Sequence, residues 1–271
     1  MNNLKPIQVF PVPAFNDNYL WLFHSDNENG GGSKQAWVVD PGDAEVILKA
    51  LDERELKLAG ILITHHHPDH TGGIDSLLKN FPNIPVYGPA GGSVPQVTEP
   101  LNDGDSITID EGIAFEVLSL PGHTLDHIAY FRSGEGAEPI LFCGDTLFAG
   151  GCGRLFEGTP EQMYHSLRKL GNLPDETQVY CAHEYTLANL AFAAAVEPVN
   201  ETLIKRIASA KLTREQGQPT VPTTIGLEKI TNPFMRSHVS SVRLAAEKRA
   251  GTAIDEESQV LAVIRSWKDN F

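Results

Sequence analysis

The chain has 271 residues, enough for one large domain or a medium domain with a smaller one. Hydrophobic residues make up 41% and charged residues 21%, the balance of a globular protein with a sizeable core rather than a disordered or fibrous one. A formal net charge of -14 argues against non-specific nucleic-acid binding, which needs a positive field, but leaves room for a local cluster of cations.

Residues 7–11, 19–23 and 36–39 read as strands, and the Gly-rich stretch 29–33 as a hairpin tip. Asp43 is placed to open a helix ending near Leu51, with Val46, Ile47 and Ala50 at helical spacing. A strand over 60–64 feeds the run Thr64-His65-His66-His67-Pro68-Asp69-His70, and a helix over 74–81 follows. Further strands are predicted at 86–87, 106–109, 115–119, 128–132 and 140–143, then a helix over 161–170 and a strand at 179–181. Strands and helices alternate with polar residues at strand ends, the layout of a layered α/β domain whose site lies on its loops.

From Tyr185 the character turns helical. Residues 187–196 are Ala-rich, Asn200 can cap a helix carrying Leu203, Ile204 and Ile207, and Asp255 can cap a last helix with Val260, Leu261, Ile264 and Trp267 on its stripe. The expected organisation is a catalytic domain over 1–184 and a helical domain over 185–271. No signal peptide or membrane-length apolar run is visible. Three cysteines without a CxxC pair fit a reducing compartment, so the expected location is cytoplasmic.

The histidine run places His65, His67, Asp69 and His70 within six residues, a ligand set that suits zinc, iron or manganese. In extended backbone residues i and i+2 share a side, so His65 and His67 can reach one ion while His66 points away. Four ligands from one loop do not complete two ions. Three other apolar runs end in a potential ligand: His123 in Pro-Gly-His-Thr, Asp145 in Gly-Asp-Thr and His183 in Ala-His-Glu. Each alone reads first as a structural histidine or a capping or turn aspartate; together, beside the histidine loop, they point to a metal site. Asp40, in Val-Asp-Pro-Gly, reads either as a turn residue or as a support for that loop.

The motifs T-H-H-H-x-D-H, P-G-H-T, G-D-T-L-F and H-E-Y-T, in this order, resemble the metallo-β-lactamase superfamily. With the stretch 143–159 they resemble in particular the glyoxalase II family, the hydroxyacylglutathione hydrolases. The resemblance implies a four-layer αββα sandwich followed by a helical substrate-binding domain. It implies two divalent ions, zinc first and iron or manganese otherwise. His65, His67 and His123 would hold one ion, Asp69, His70 and His183 the other, with Asp145 shared between them. His66 and His127 match positions that are not ligands.

The implied reaction is hydrolysis of S-D-lactoylglutathione to D-lactate and glutathione, the second step of methylglyoxal detoxification. A metal-bridging hydroxide would attack, with Asp69 as the catalytic residue that orients it. Arg154, Tyr185, Arg265 and Lys268 would bind the glutathione portion. Some family members carry Lys and Tyr where this chain has Arg154 and Phe156. Arg keeps the charge as a planar fork, and Phe156 can only pack. A partner other than a small-molecule glutathione thioester is not expected: no nucleic acid, no membrane, and a monomeric chain. Persulfide dioxygenases of the same superfamily use one iron and lack the helical C-terminal portion.

Overall fold

The computed structural model describes residues 6–25, 34–110, 113–133 and 138–271. The hairpin tip expected at 29–33 lies outside the described residues. Contacts divide the chain into two units: Met1–Ser119 with Asp126–Gly144, and Leu120–Leu125 with Asp145–Phe271.

In the first unit, six strands form a sheet in sequence order: β1 (Ile7–Ala14), β2 (Asn18–Ser25), β3 (Lys34–Val39), β4 (Leu56–Leu62), β5 (Val86–Pro89) and β6 (Glu99–Leu101). β1, β2 and β3 are antiparallel neighbours, whereas β3 to β6 run parallel. The parallel strands need crossovers. Two of these are helical: α1 (Ala44–Glu53) between β3 and β4, and α2 (Pro68–Thr71) with α3 (Ile74–Asn80) between β4 and β5. Asp43 caps α1 by accepting from the Glu45 amide at 2.8 Å. β4 starts at Leu56, four residues before the predicted strand, and ends at Leu62, so the histidine loop begins just beyond it.

Both faces of this sheet are covered, which is why β2 is buried along its whole length. One face, with Leu20, Leu22, Val38, Leu58 and Ile61, packs under Ile47 and Leu51 of α1 and Ile74 and Leu77 of α3. The other face meets β7 (Ser106–Asp110), β8 (Ile113–Ser119), β9 (Ile128–Arg132) and β10 (Ile140–Gly144), which pair antiparallel in that order. There Phe23 stacks on Phe142 at 5.3 Å and meets Phe115 edge-on at 5.8 Å. The unit is therefore layered helix, sheet, sheet.

The second unit contains a short hairpin, β11 (Leu147–Phe148) with β12 (Gly151–Cys152), then α4 (Pro160–Gly171), β13 (Gln178–Cys181), α5 (Thr186–Val196) and α6 (Glu201–Glu215). It closes with β14 (Thr223–Thr224), α7 (Ile225–Thr231), a 3-10 turn Pro233–Met235, α8 (Ser240–Ala250) and α9 (Glu257–Asp269). Thr159 and Gln162 form a reciprocal capping box on α4. Asn200 caps α6 as predicted, accepting from the Leu203 amide at 3.0 Å. Of the three apolar residues expected on its inner face, Leu203 is buried and Ile207 half-buried, but Ile204 is exposed. Asp255 does not cap the last helix. Glu256 holds that position without a side-chain bond.

Gly60 lies under the Trp37 indole, where a Cβ would sit 2.1 Å from a ring carbon. Overpacking of this kind costs about 1–3 kcal/mol. Gly60→Ala should lower unfolding stability by about that amount in a urea titration, and an unchanged midpoint would show that the ring can move aside.

Candidate metal centre

The histidine loop of the first unit is organised by Asp40. This residue adopts a left-handed backbone, φ 52°, which Asp tolerates better than most. The twist ends β3 and turns the carboxylate inward. Oδ1 accepts the Thr64 amide at 2.7 Å. Oδ2 accepts the Thr64 hydroxyl at 2.7 Å and faces His70 Nδ1 at 3.0 Å. With its proton given to Asp40, Thr64 Oγ1 accepts from His65 Nδ1 at 3.0 Å. The chain of bonds thus places the proton of each imidazole on Nδ1 and the lone pair on Nε2, for both His65 and His70. Asp40 does form the Pro-Gly turn, since the Gly42 amide reaches its carbonyl at 2.8 Å. The turn and the support of the loop are the same feature.

The other polar residues of the loop lie close to these rings. His65 Nε2 and His67 Nδ1 approach to 3.1 Å. His70 Nε2 lies 3.4 Å from Asp69 Oδ2, and the Asn18 amide donates to the same Asp69 oxygen at 3.0 Å. His66 turns to Asp126, both carboxylate oxygens 3.0 Å from its Nδ1. His127 stacks on His65 at 4.7 Å. No role is legible in sequence for Asn18 or Asp126, and Thr64 shows there only as the residue that opens the histidine motif.

In the second unit the arrangement centres on Asp145. Its Oδ2 lies 3.4 Å from His123 Nε2 and its Oδ1 3.3 Å from His183 Nε2. His123 Nδ1 donates to the Arg154 carbonyl at 2.8 Å, which again leaves the lone pair on Nε2. All three residues are buried. These separations are longer than ordinary charge-assisted hydrogen bonds of about 2.7–2.9 Å. They suit neighbouring ligands of one ion: bonds of roughly 2.0–2.1 Å at a tetrahedral angle put ligand atoms about 3.3–3.4 Å apart. The donor set therefore fits divalent metal ions, and a carboxylate with one oxygen toward each of two imidazoles fits a shared ligand. Asp40 also brings an oxygen within 4.8 Å of His65 and His70 ligand atoms. With its oxygens engaged by Thr64 and His70, it acts as an acceptor behind the ligands.

A cavity of about 420 Å³ opens on His123 and Asp145. Its other lining residues include Phe148, Phe156, Tyr185, Arg154, Arg265 and Lys268. Tyr185 stacks on the His183 ring at 4.7 Å and Phe156 meets the His123 ring edge-on at 5.3 Å. Arg154 is largely exposed, 3.7 Å from Asp269. Arg265 lines the same cavity, with its guanidinium engaged by the protein itself. It is buried, donates to the Cys152 carbonyl at 2.9 Å and to Asp269 at 3.0 Å, and lies over the Phe234 ring. Burial, and then the charges of Arg265 and Arg154, push the Lys268 ammonium below its usual range, with Asp269 opposing. Burial raises the thiols of Cys152 and Cys181, the latter to about 12, so neither is a nucleophile at neutral pH.

A metallo-β-lactamase superfamily model matches residues 30–183 and a hydroxyacylglutathione hydrolase C-terminus model matches residues 184–271. The hydroxyacylglutathione hydrolase of Alkalilimnicola ehrlichii is 52% identical over 97% of this chain and 98% of its own length. That of Hahella chejuensis is 49% identical over 97% and 99%. The chain belongs to the hydroxyacylglutathione hydrolase family of the metallo-β-lactamase superfamily. Among solved structures, ETHE1 from Myxococcus xanthus covers 97% of this chain and 91% of its own, with TM-score 0.64 at 24% identity, which shows the shared fold. TTHA1623 in a di-iron-bound form is 28% identical, TM-score 0.56, over 83% of this chain and 100% of its own. The family fold is the αββα sandwich with a helical C-terminal domain, as the sequence implied, and a divalent metal site belongs to it.

Replacing a group that orients metal-binding histidines typically weakens metal affinity about 10–100-fold. Asp40→Ala removes the acceptor behind His70 and Thr64 and should weaken zinc binding by that factor in a competition with a chromophoric chelator. Wild-type affinity would reduce Asp40 to its turn.

Proposed function

We propose that this protein hydrolyses S-2-hydroxyacylglutathione thioesters, converting S-D-lactoylglutathione to D-lactate and glutathione. The observation that carries the reading is Asp145, its two oxygens divided between His123 and His183 at the wall of a cavity that also bears Arg154, Lys268 and Tyr185. The family and the hydroxyacylglutathione hydrolases at about 50% identity supply the substrate class.

In this reading two ions would be held, one by His65, His67 and His123 and the other by Asp69, His70 and His183, and Asp145 would serve both. The di-iron form of TTHA1623 supports that number. Zinc is the proposed metal, with iron and manganese compatible with the same donors. When bound, the ions supply hydroxide at neutral pH and polarise a carbonyl, so no Ser or Cys nucleophile is needed.

The chain's own residues do the rest. Asp69, with Oδ2 fixed by the Asn18 amide, orients the attacking water and holds its proton. Lys268 and Arg154 pair with the glutathione carboxylates, and Tyr185 offers its hydroxyl and ring edge. Phe148 and Phe156 give the cavity apolar walls against the acyl and cysteinyl portions. A thiolate is a good leaving group, so the site needs no strong general acid. Arg265 contributes mainly by anchoring Cys152 and Asp269.

The proposed architecture assigns catalysis to residues 1–184 and substrate binding to 185–271. No helix among the described residues is long and apolar enough to cross a membrane. None of the three cysteines forms a disulfide, which fits a chain working in the reducing cytoplasm, and a monomer is the proposed state.

The test is turnover of S-D-lactoylglutathione by purified protein with and without chelator. Chelator-sensitive glutathione release is expected, and Asp145→Ala should lose at least about a thousandfold of it, since a metal effect is worth several kcal/mol. Full metal content with no turnover would discard the substrate, and oxygen uptake with glutathione persulfide would replace it. Lys268→Ala should raise KM more than it lowers kcat, because the cation meets a remote part of the substrate. The depressed Lys268 pKa has a sign: the lysine loses its charge as pH rises, earlier than the usual value of about 10.4. KM should therefore climb on the alkaline side, and Lys268→Arg should flatten that climb. An equal climb in the Arg variant would assign it elsewhere.

A further inference from the structure

The turn that follows Asp145 is held in an unusual way. Residues 147–152 form the β11–β12 hairpin, whose outward polar backbone groups are met by side chains of the helices. Asn232 Nδ2 donates to the Phe148 carbonyl at 3.3 Å and the Gly151 carbonyl at 2.9 Å. Asn189 Nδ2 donates to the Ala149 carbonyl at 3.2 Å. The Gly150 amide donates to Glu228 Oε2 at 2.8 Å, and Arg265 donates to the Cys152 carbonyl. Five consecutive residues are thus read by four side chains.

Glu228 is the centre of this arrangement. It is fully buried on α7, one helical turn before Asn232. Oε2 takes the Gly150 amide and the Asn232 amide at 2.9 Å. Oε1 takes the Thr223 hydroxyl at 2.6 Å and Arg206 at 2.5 Å. One oxygen faces the hairpin and the other faces the helical core. A buried carboxylate carries a desolvation cost that only a full set of donors offsets. The fold keeps such a residue where a hydrophobic one would pack.

The hairpin's base explains what is gained. Its first stem begins at Asp145 and Thr146, and its second returns through Gly153 and Arg154. The stems close where the Gly153 amide meets the Thr146 carbonyl at 3.2 Å. A Cβ on Gly153 would lie 2.0 Å from the Asp145 carbonyl oxygen and 3.0 Å from His123 Nδ1. One stem carries the Asp145 carboxylate. The other supplies the Arg154 carbonyl that fixes the His123 proton on Nδ1. A shift of the hairpin would displace both at once. Phe148, within the hairpin, also sets its ring edge-on to His183 at 5.7 Å and to Tyr185 at 5.2 Å.

We infer that Glu228 and Asn232 are positioning residues for the metal centre: they lock the 147–152 hairpin so that Asp145 and His123 face the same point. The inference rests on the reading of Asp145 as the shared ligand. It assigns a catalytic consequence to two side chains that touch neither metal nor substrate.

The experiment compares Glu228→Gln and Asn232→Ala with Thr223→Val. The last variant removes a donor from Oε1 of the same buried carboxylate without reaching the hairpin. Each is purified as the full chain, and three quantities are read: melting temperature, zinc affinity from chelator competition, and kcat and KM for S-D-lactoylglutathione. The expected result is a tenfold or greater loss of zinc affinity at one site in Glu228→Gln and Asn232→Ala, with kcat falling and KM within twofold. Thr223→Val should melt lower yet keep zinc affinity and kcat within twofold. The inference is overturned if the first two variants melt lower but bind zinc as wild type does. It is equally overturned if Thr223→Val loses as much zinc affinity as they do. A wild-type chain that binds zinc without turning over the thioester would refute the substrate, and the zinc affinities would still decide the positioning role.

Discussion

An imidazole presents a lone pair at one nitrogen only when the other nitrogen carries the proton, and most of the centre depends on meeting that condition. A histidine with its proton on the wrong nitrogen is repelled by a cation rather than bound by it. In this chain the choice is made by acceptors behind the rings. Asp40 takes the His70 proton, Thr64 takes that of His65 because Asp40 has already taken its hydroxyl, and the Arg154 carbonyl takes that of His123. The left-handed turn at Asp40 and the hairpin base at Gly153 are the backbone devices that bring those acceptors to the rings.

The same logic explains where the sequence departs from ordinary packing. Gly144 has φ 47°, and a Cβ there would come within 2.3 Å of Thr64 Oγ1 and 2.8 Å of His127 Nε2. The glycine before Asp145 is thus required by the supports of the histidine loop as well as by its own turn. Tyr130 adds a further brace, its hydroxyl donating to the Ile63 carbonyl at 2.8 Å, one residue before Thr64. Burial holds that phenol well above its usual range, so the brace stays protonated at any working pH.

The candidate ligands stood out because each is a polar residue ending an apolar run: His65 after the Ile61-Leu62-Ile63 run, Asp145 after Phe142-Cys143, His183 after Cys181. Burying such groups makes sense only with something to satisfy them. The elements around them were legible from period and caps, as Asp43 and Asn200 show. The supports were not. Asn18 lies 51 positions from Asp69, and nothing in a short polar side chain near a turn announces that partner. Glu228 sits between Leu227 and Lys229, neighbours that give no sign of its partners, yet it is fully buried. The failures at Asp255 and Ile204 are of the same kind, since local pattern cannot tell which neighbouring helix covers a face. Arg265 shows the limit from the other side. Its bond to Asp269 is local, four residues on, but its bond to the Cys152 carbonyl, 113 positions away, is set by folding at long range.

Asp269 stands between Arg154 and Arg265, at 3.7 and 3.0 Å, beside Lys268. The cation cluster therefore carries its own counterion. Three positive groups in one corner would repel one another and loosen the end of α9, and the carboxylate cancels part of that repulsion before any ligand arrives. The chain as a whole carries -14, so an anionic molecule in solution meets repulsion at distance and attraction only at the cavity mouth. Salt screens the distant field over a Debye length of about 10 Å at 0.1 M more completely than it screens contacts within the cavity. Salt thus weakens the distant repulsion felt by an anionic ligand before it weakens the contacts within the cavity.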